Sequence, residues 1–151
     1  MTHDRALAAG PALIRASSAV SDFYEKSSAA VGLTPQQARL LFILARKPTN
    51  MLGLSSALNL SKSTMTGVVD RLGDAGLIVR EVDAYDRRQL VVAPTKLGSE
   101  KALEFENELK GHVTALLEGL DPAQQTQLAE LLTVLVSRAE IMGQLTTNNA
   151  R

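Results

Sequence analysis

Between Ser61 and Gly98 the sequence changes its hydrophobic period, and this ordering restricts the fold more than any other feature of the chain. After Ser61, the residues Met65, Val68, Val69 and Leu72 recur at intervals of three and four, the spacing of one helix face. Ser61 is a residue type that caps a helix start, and Gly76 one that stops a helix. Leu77–Val82 and Gln89–Val92 then have strand composition, and the polar run Asp83–Arg88 between them reads as a turn. A shorter apolar-patterned segment, ending near Leu58, precedes Ser61. Helix, turn, helix and hairpin in that order make a helix-turn-helix with a β-hairpin wing. The arrangement presents one helix edge together with one basic hairpin tip, a surface suited to grooved, polyanionic double-stranded DNA.

The flanks are helical. Pro11 suits a first helical turn, and Leu13, Ala16, Val20, Phe23 or Tyr24, and Val31 follow at helical spacing; residues 3–9 could form a separate short helical piece before it. Thr34-Pro35-Gln36-Gln37 is a capping box, and its helix is predicted to run through Arg46 and stop before Pro48. Thr95 caps a long helix carrying Ala102, Phe105, Leu109, Val113, Leu116 and Leu120 on one stripe. Asp121-Pro122-Ala123-Gln124 starts the last helix, whose stripe is Leu128, Leu131, Leu132, Leu135, Ala139 and Met142; the tail Thr146–Arg151 is expected to fray. The chain therefore reads as mainly α with a small β-hairpin. A winged helix-turn-helix part over 33–95 is flanked by long dimerisation helices over 1–32 and 96–151, all within one chain of 151 residues. Amphipathic helices of that length need a partner for their apolar faces, and the small reader cannot cover them all.

Composition removes several classes of chemistry. With no Cys, disulfides, thiol sensing and thiolate-bound zinc are excluded. His3 and His112 are the only histidines, which excludes a His-rich metal site and leaves a mixed His/carboxylate site as the one alternative; neither metal nor cofactor is expected. There is no phosphate-binding loop, and no Ser stands with a plausible base, which argues against an enzyme. Five aromatics offer few platforms for single-stranded nucleic acid. No apolar run reaches the length of a membrane span, and no secretory segment is visible, so a cytoplasmic protein is expected. Net charge is zero, yet residues 33–98 carry nine basic and five acidic side chains, and the flanks hold the compensating acids. The centre is thus the anion-binding part.

Within the second helix of the motif, the inward stripe leaves Lys62, Ser63, Thr66, Gly67, Asp70 and Arg71 nearer the outside. Ser61, Ser63, Thr64 and Thr66 offer small hydroxyls, and the helix N-terminus adds backbone donors and a partial positive charge. Gly67 is costly in a helix interior unless bulk is forbidden there, either by DNA or by the preceding helix. In the wing, Arg87 and Arg88 are the cationic contacts. Side-chain alternation puts Asp86 on the same side as Arg88, so Asp86 reads as a residue that orients Arg88 or holds the turn. An Arg so aimed can enter a narrow minor groove.

The runs D-R-L-x-x-x-G-L-I-x-R (Asp70 to Arg80), D-x-x-D-R-R (Asp83 to Arg88) and P-T-x-x-G (Pro94 to Gly98) resemble the MarR family of bacterial winged-helix regulators. The G-L-T-P-x-Q segment from Gly32 fits the family's second helix, and the similarity covers nearly the whole chain. The resemblance implies a homodimer on a pseudo-palindromic operator, often a repressor, commonly released by a small-molecule effector bound between the dimerisation helices and the reader. It places the recognition helix on Ser61–Asp74 and the wing's Asp and Arg on Asp86 and Arg88. Many relatives carry a long polar or basic residue where this chain has Gly67. An effector site lined by Leu13–Val31, Leu40–Leu44 and Leu97–Leu109 would be mostly aliphatic, and the same residues also read as plain core. The competing reading is a winged-helix protein-interaction module without DNA binding, favoured by the neutral net charge and by Gly67.

Overall fold

The computed structural model describes residues 2–148. Its elements are α1 (Thr2–Ala30), α2 (Pro35–Leu44), α3 (Met51–Leu58), α4 (Lys62–Asp74), β1 (Ile78–Val82), β2 (Leu90–Pro94), α5 (Lys96–Leu117) and α6 (Pro122–Asn148). The chain is mainly helical with one hairpin and divides into two compact units, Met1–Val113 and Thr114–Arg151.

In the first unit, the apolar stripes predicted by helical spacing meet in one core. Leu40, Leu41 and Leu44 of α2, Leu54 of α3 and Met65, Val68, Val69 and Leu72 of α4 pack with Ile78 and Val92 of the hairpin and Ala102 of α5. These residues are almost wholly removed from water, and each large aliphatic side chain so buried contributes about 1.5–3 kcal/mol. Beside this core, Phe105 is buried with Val31 and Ala38, against Tyr24, Phe42 and Leu109. Its ring tilts against Tyr24 at 5.6 Å and meets Phe42 edge-on at 6.3 Å. The guanidinium groups of Arg39 and Arg46 lie over the Tyr24 and Phe42 rings at 4.7 and 3.5 Å.

Local chemistry sets the element ends. Thr34 and Gln37 form a reciprocal capping box on α2. Asn50 accepts from the Gly53 amide at 2.8 Å and starts α3. α3 ends on Asn59 in the left-handed region (φ 50°), and the Leu60 amide donates back to the Ser55 carbonyl. This is a Schellman stop built on Asn rather than Gly, and it bends the chain into the tight connection before Ser61. α4 ends the same way, with Gly76 at φ +70° and the Leu77 amide on the Leu72 carbonyl.

The Pro-Thr-x-x-Gly run ties α5 to this stop. The Thr95 hydroxyl donates to the Gly76 carbonyl at 2.8 Å and accepts from the Gly98 amide at 3.0 Å. The Thr95 amide donates to the Leu77 carbonyl at 3.0 Å. A Cβ at position 98 would stand 1.9 Å from that carbonyl oxygen, so only glycine lets α5 cross there.

The hairpin pairs β1 antiparallel to β2, with Ile78 opposite Pro94 and Val82 opposite Leu90. Thr49 adds a single bridge to Val92, with mutual backbone hydrogen bonds of 3.1 and 2.9 Å. The segment before α3 thereby becomes a third short rung of the wing.

Several sequence expectations need correction. α1 is continuous through Pro11, so residues 3–9 are not a separate piece. Gly10, lacking a Cβ and with open space around it, removes the usual side-chain clash that Pro imposes on its predecessor. α2 stops at Leu44, and Arg46 and Lys47 donate instead to the Ile43 carbonyl in a terminal turn. α6 stays helical through Asn148, past the expected fraying point at Thr146; residues 149–151 lie outside the described residues. Both strands start one residue later than their composition predicts, β2 ends two residues later, and α5 stops at Leu117, short of Leu120.

In the second unit, Asp121 and Gln124 cap α6 reciprocally, at 2.9 and 3.0 Å. The side-chain amide of Gln125 donates to the Leu117 and Leu120 carbonyls, closing the end of α5. Among the described residues of α6, no side chain is buried.

Candidate nucleic-acid interface

α4 carries the candidate recognition surface. Met65, Val68, Val69 and Leu72 are buried against the core, while Lys62, Ser63, Asp70 and Arg71 are exposed and Thr66 and Gly67 half-exposed. The hydroxyls at the N-terminal turn are not all free to donate. Ser61 Oγ accepts from the Thr64 amide at 3.2 Å and lies 2.8 Å from Thr64 Oγ1 and 3.2 Å from Ser63 Oγ. Thr66 Oγ1 donates to the Lys62 carbonyl at 2.9 Å, which leaves it an acceptor towards solvent. Ser61 and Thr64 thus build the cap, and Lys62 and Arg71 remain as cationic donors on the outer face.

Gly67 sits in open space. A Cβ there would meet nothing nearer than the Arg71 guanidinium, at 3.9 and 4.0 Å, both ordinary contacts. The preceding helix therefore does not demand glycine at this position. Arg71 instead folds back one turn over Gly67, as helical side chains point towards the N-terminus.

The wing tip is shaped by its acids. Asp83 Oδ1 accepts from the Tyr85 and Asp86 amides at 2.7 and 3.1 Å. The Tyr85 amide above all, with the Asp86 amide, holds the Asp83 carboxyl below the usual carboxylate range. Asp86 Oδ1 accepts from the Arg88 amide at 3.0 Å, and Oδ2 from the Gln89 side chain at 3.2 Å. Backbone bonds from Asp83 to Gln89 and from Gln89 to Asp86, both 2.9 Å, close the loop. Residues 83–89 are a turn rather than extended strand, so the alternation that put Asp86 and Arg88 on one side does not apply. Asp86 engages the backbone of Arg88, and the Tyr85, Arg87 and Arg88 side chains are exposed.

Two contacts fix this tip relative to the helices. The Asn50 side chain donates to Gln89 Oε1 at 3.1 Å, so one amide, Gln89, joins the wing turn to the cap of α3. Arg80 of β1 pairs with Asp70 of α4 at 2.6 Å, with both side chains half exposed. Together with this pair, Val69, Gly73, Ile78 and Val79 line an open cleft of about 180 Å³ between α4 and β1. Asp70 faces solvent in a helix that would meet phosphates, and Arg80 offsets its charge. The pairings of Asn50 with Gln89 and of Arg80 with Asp70 are not legible in the sequence: the partners lie 39 and 10 residues apart, and no local pattern marks such pairs.

Among the described residues no group of acidic or His side chains is placed to hold a metal ion, and no helix is long and apolar enough to cross a membrane.

Residues 31–89 match the sequence profile of the MarR family. The HTH-type transcriptional regulator YkoM of Bacillus subtilis is 30% identical over 119 residues, covering 78% of this chain and 77% of YkoM. The crystal structure of Rv1404 from Mycobacterium tuberculosis superposes with a TM-score of 0.74 at 29% identity, covering 88% of this chain and 92% of that one. That of CouR from Rhodococcus jostii RHA1, bound to p-coumaroyl-CoA, superposes with a TM-score of 0.69 at 25% identity, covering 83% and 90%. Helix-turn-helix, wing and long terminal helices thus coincide with a matching profile and with relatives that are transcriptional regulators: the chain belongs to the MarR family of DNA-binding, winged helix-turn-helix transcriptional regulators.

Proposed function

We propose that this regulator acts as a homodimer on a pseudo-palindromic operator, as a repressor, and that a small-molecule effector releases it. The observation that carries the DNA contact is the pairing of two uncovered surfaces: the outer face of α4 and a wing tip whose acids are turned onto their own backbone. On this reading α4 enters the major groove. Lys62 and Arg71 reach phosphates or guanine edges, and Ser63 and Thr66 meet base edges. Ser61 and Thr64 set the helix start, and Gly67 lets the backbone approach closely. Arg87 and Arg88 meet the flanking minor groove, where the potential is most negative, and Asp86 fixes the turn that presents them.

The apolar side chains left uncovered on α1 and α6 support the homodimer: Leu13, Ile14 and Val20 on one, Leu131, Leu132 and Leu135 on the other. The structure of CouR with bound p-coumaroyl-CoA supports a small-molecule effector here. Selection of bound duplexes from a random pool tests the reading, followed by a screen for compounds that release them. The expected result is an inverted repeat bound by a dimer. Recovery of no enriched duplex would favour a protein-interaction role instead.

A further inference from the structure

Tyr85 is an aromatic residue with no cover at all: its relative accessibility is 101%. An aromatic ring so placed forgoes burial of roughly 150 Å² or more of surface. Its backbone, in contrast, is held firmly, because the amide donates to Asp83 Oδ1 at 2.7 Å in the shortest bond of the wing turn. The same turn directs both neighbouring carboxylates onto amides, and the Tyr85, Arg87 and Arg88 side chains it carries are all exposed. A tyrosine combines a flat apolar body with one hydroxyl donor and has only two side-chain torsions to immobilise. That combination suits a duplex backbone, where deoxyribose offers apolar surface and phosphate offers acceptors.

We propose that Tyr85 is a DNA-backbone contact of the wing, its hydroxyl donating to a phosphate and its ring lying against sugar. The assignment rests on the reading of the wing as a DNA-binding element. The contact carries no base information, so it adds affinity on any duplex. It also carries no charge, so unlike Arg87 and Arg88 it releases no counterions.

The chain has no Trp and two Tyr, so Tyr24, half-buried against Phe105, is the one emitter besides Tyr85. Emission of the parent minus that of Tyr85→Phe isolates the signal. The expected result is quenching of this difference by a duplex selected from a random pool and by an unrelated duplex at low salt. Tyr85→Ala should weaken both complexes by about five- to tenfold, with Tyr85→Phe losing part of that. Thermal unfolding should not move, and the slope of log affinity against log salt should stay unchanged. If the parent binds while the emission is unaltered and Tyr85→Ala binds equally well, the role of Tyr85 is overturned and the wing reading stands. A loss confined to the selected duplex overturns the backbone role in favour of base reading. A parent that binds no duplex overturns the DNA reading of the wing and Tyr85 with it.

Discussion

Gly67 separates two explanations that are indistinguishable in the sequence. Its position would accept a methyl group without a clash, so its absence of a side chain is not imposed by packing inside the protein. Gly67→Ala should therefore raise stability by roughly 0.5–1 kcal/mol through helix propensity alone. If the face meets DNA closely, the same variant binds operator more weakly. Thermal unfolding and operator affinity measured on one preparation decide, and a stabilised variant with undiminished affinity would remove the close-approach argument. Gly98 behaves oppositely: its missing Cβ is demanded by the Leu77 carbonyl, and Ala there should destabilise by about 1–3 kcal/mol or prevent folding. Ser27 offers a third residue-scale test. It is fully buried on α1, and its hydroxyl has no hydrogen-bond partner among the described residues. Ser27→Ala should stabilise the protein by about 0.5–2 kcal/mol, since it removes an unpaired buried oxygen and improves helix propensity. A loss of stability on thermal unfolding would mean that the hydroxyl is satisfied by something else.

At the scale of elements, the wing is a turn organised by two carboxylates and joined to α3 by one amide. Asp86→Ala removes the acceptor for the Arg88 amide and for Gln89, and should weaken DNA binding although it deletes a negative charge. Asp86→Asn keeps an oxygen for the Arg88 amide and should bind closer to the parent. Tighter binding by Asp86→Ala in a gel-shift titration would show that its charge, not its geometry, matters. Arg88→Ala should weaken binding across sequences and lower the salt slope by about one if Arg88 neutralises one phosphate. The contrast between what could and could not be foreseen has a physical basis. The caps at Thr34, Ser61 and Asp121 are bonds across three residues, and such bonds leave a local sequence pattern. The stripe of α4 was legible for the same reason, because helical spacing is local. The Asn50–Gln89 contact, the Asp70–Arg80 pair, the Thr49–Val92 bridge and the crossing at Gly98 depend on elements brought together by folding. The alternation argument for Asp86 failed because it assumed strand geometry where two Asx-type turns intervene.

For the molecule as a whole, the unanswered demand is the apolar surface of the terminal helices. Leu131 and Leu135 lie one turn apart on α6, and each remains about half exposed in the single chain. Leu131→Glu with Leu135→Glu should leave the protomer folded, because neither side chain is part of its core, yet shift sedimentation from dimer to monomer. Dimers that persist would place the interface elsewhere. The proposed dimer then dictates operator geometry. Two α4 helices related by a two-fold axis can be satisfied together only where successive major grooves face the same side of the duplex. Half-site centres should consequently lie about 10 base pairs apart, or a small multiple of that. Inserting about five base pairs between them turns one half-site to the opposite face, where the second helix cannot follow. Affinity should then fall to that of a single half-site, and restoring a full turn with about ten inserted base pairs should recover binding only if the terminal helices can spread that far. Unchanged affinity after the half-turn insertion would mean that the two recognition helices do not engage one operator at once.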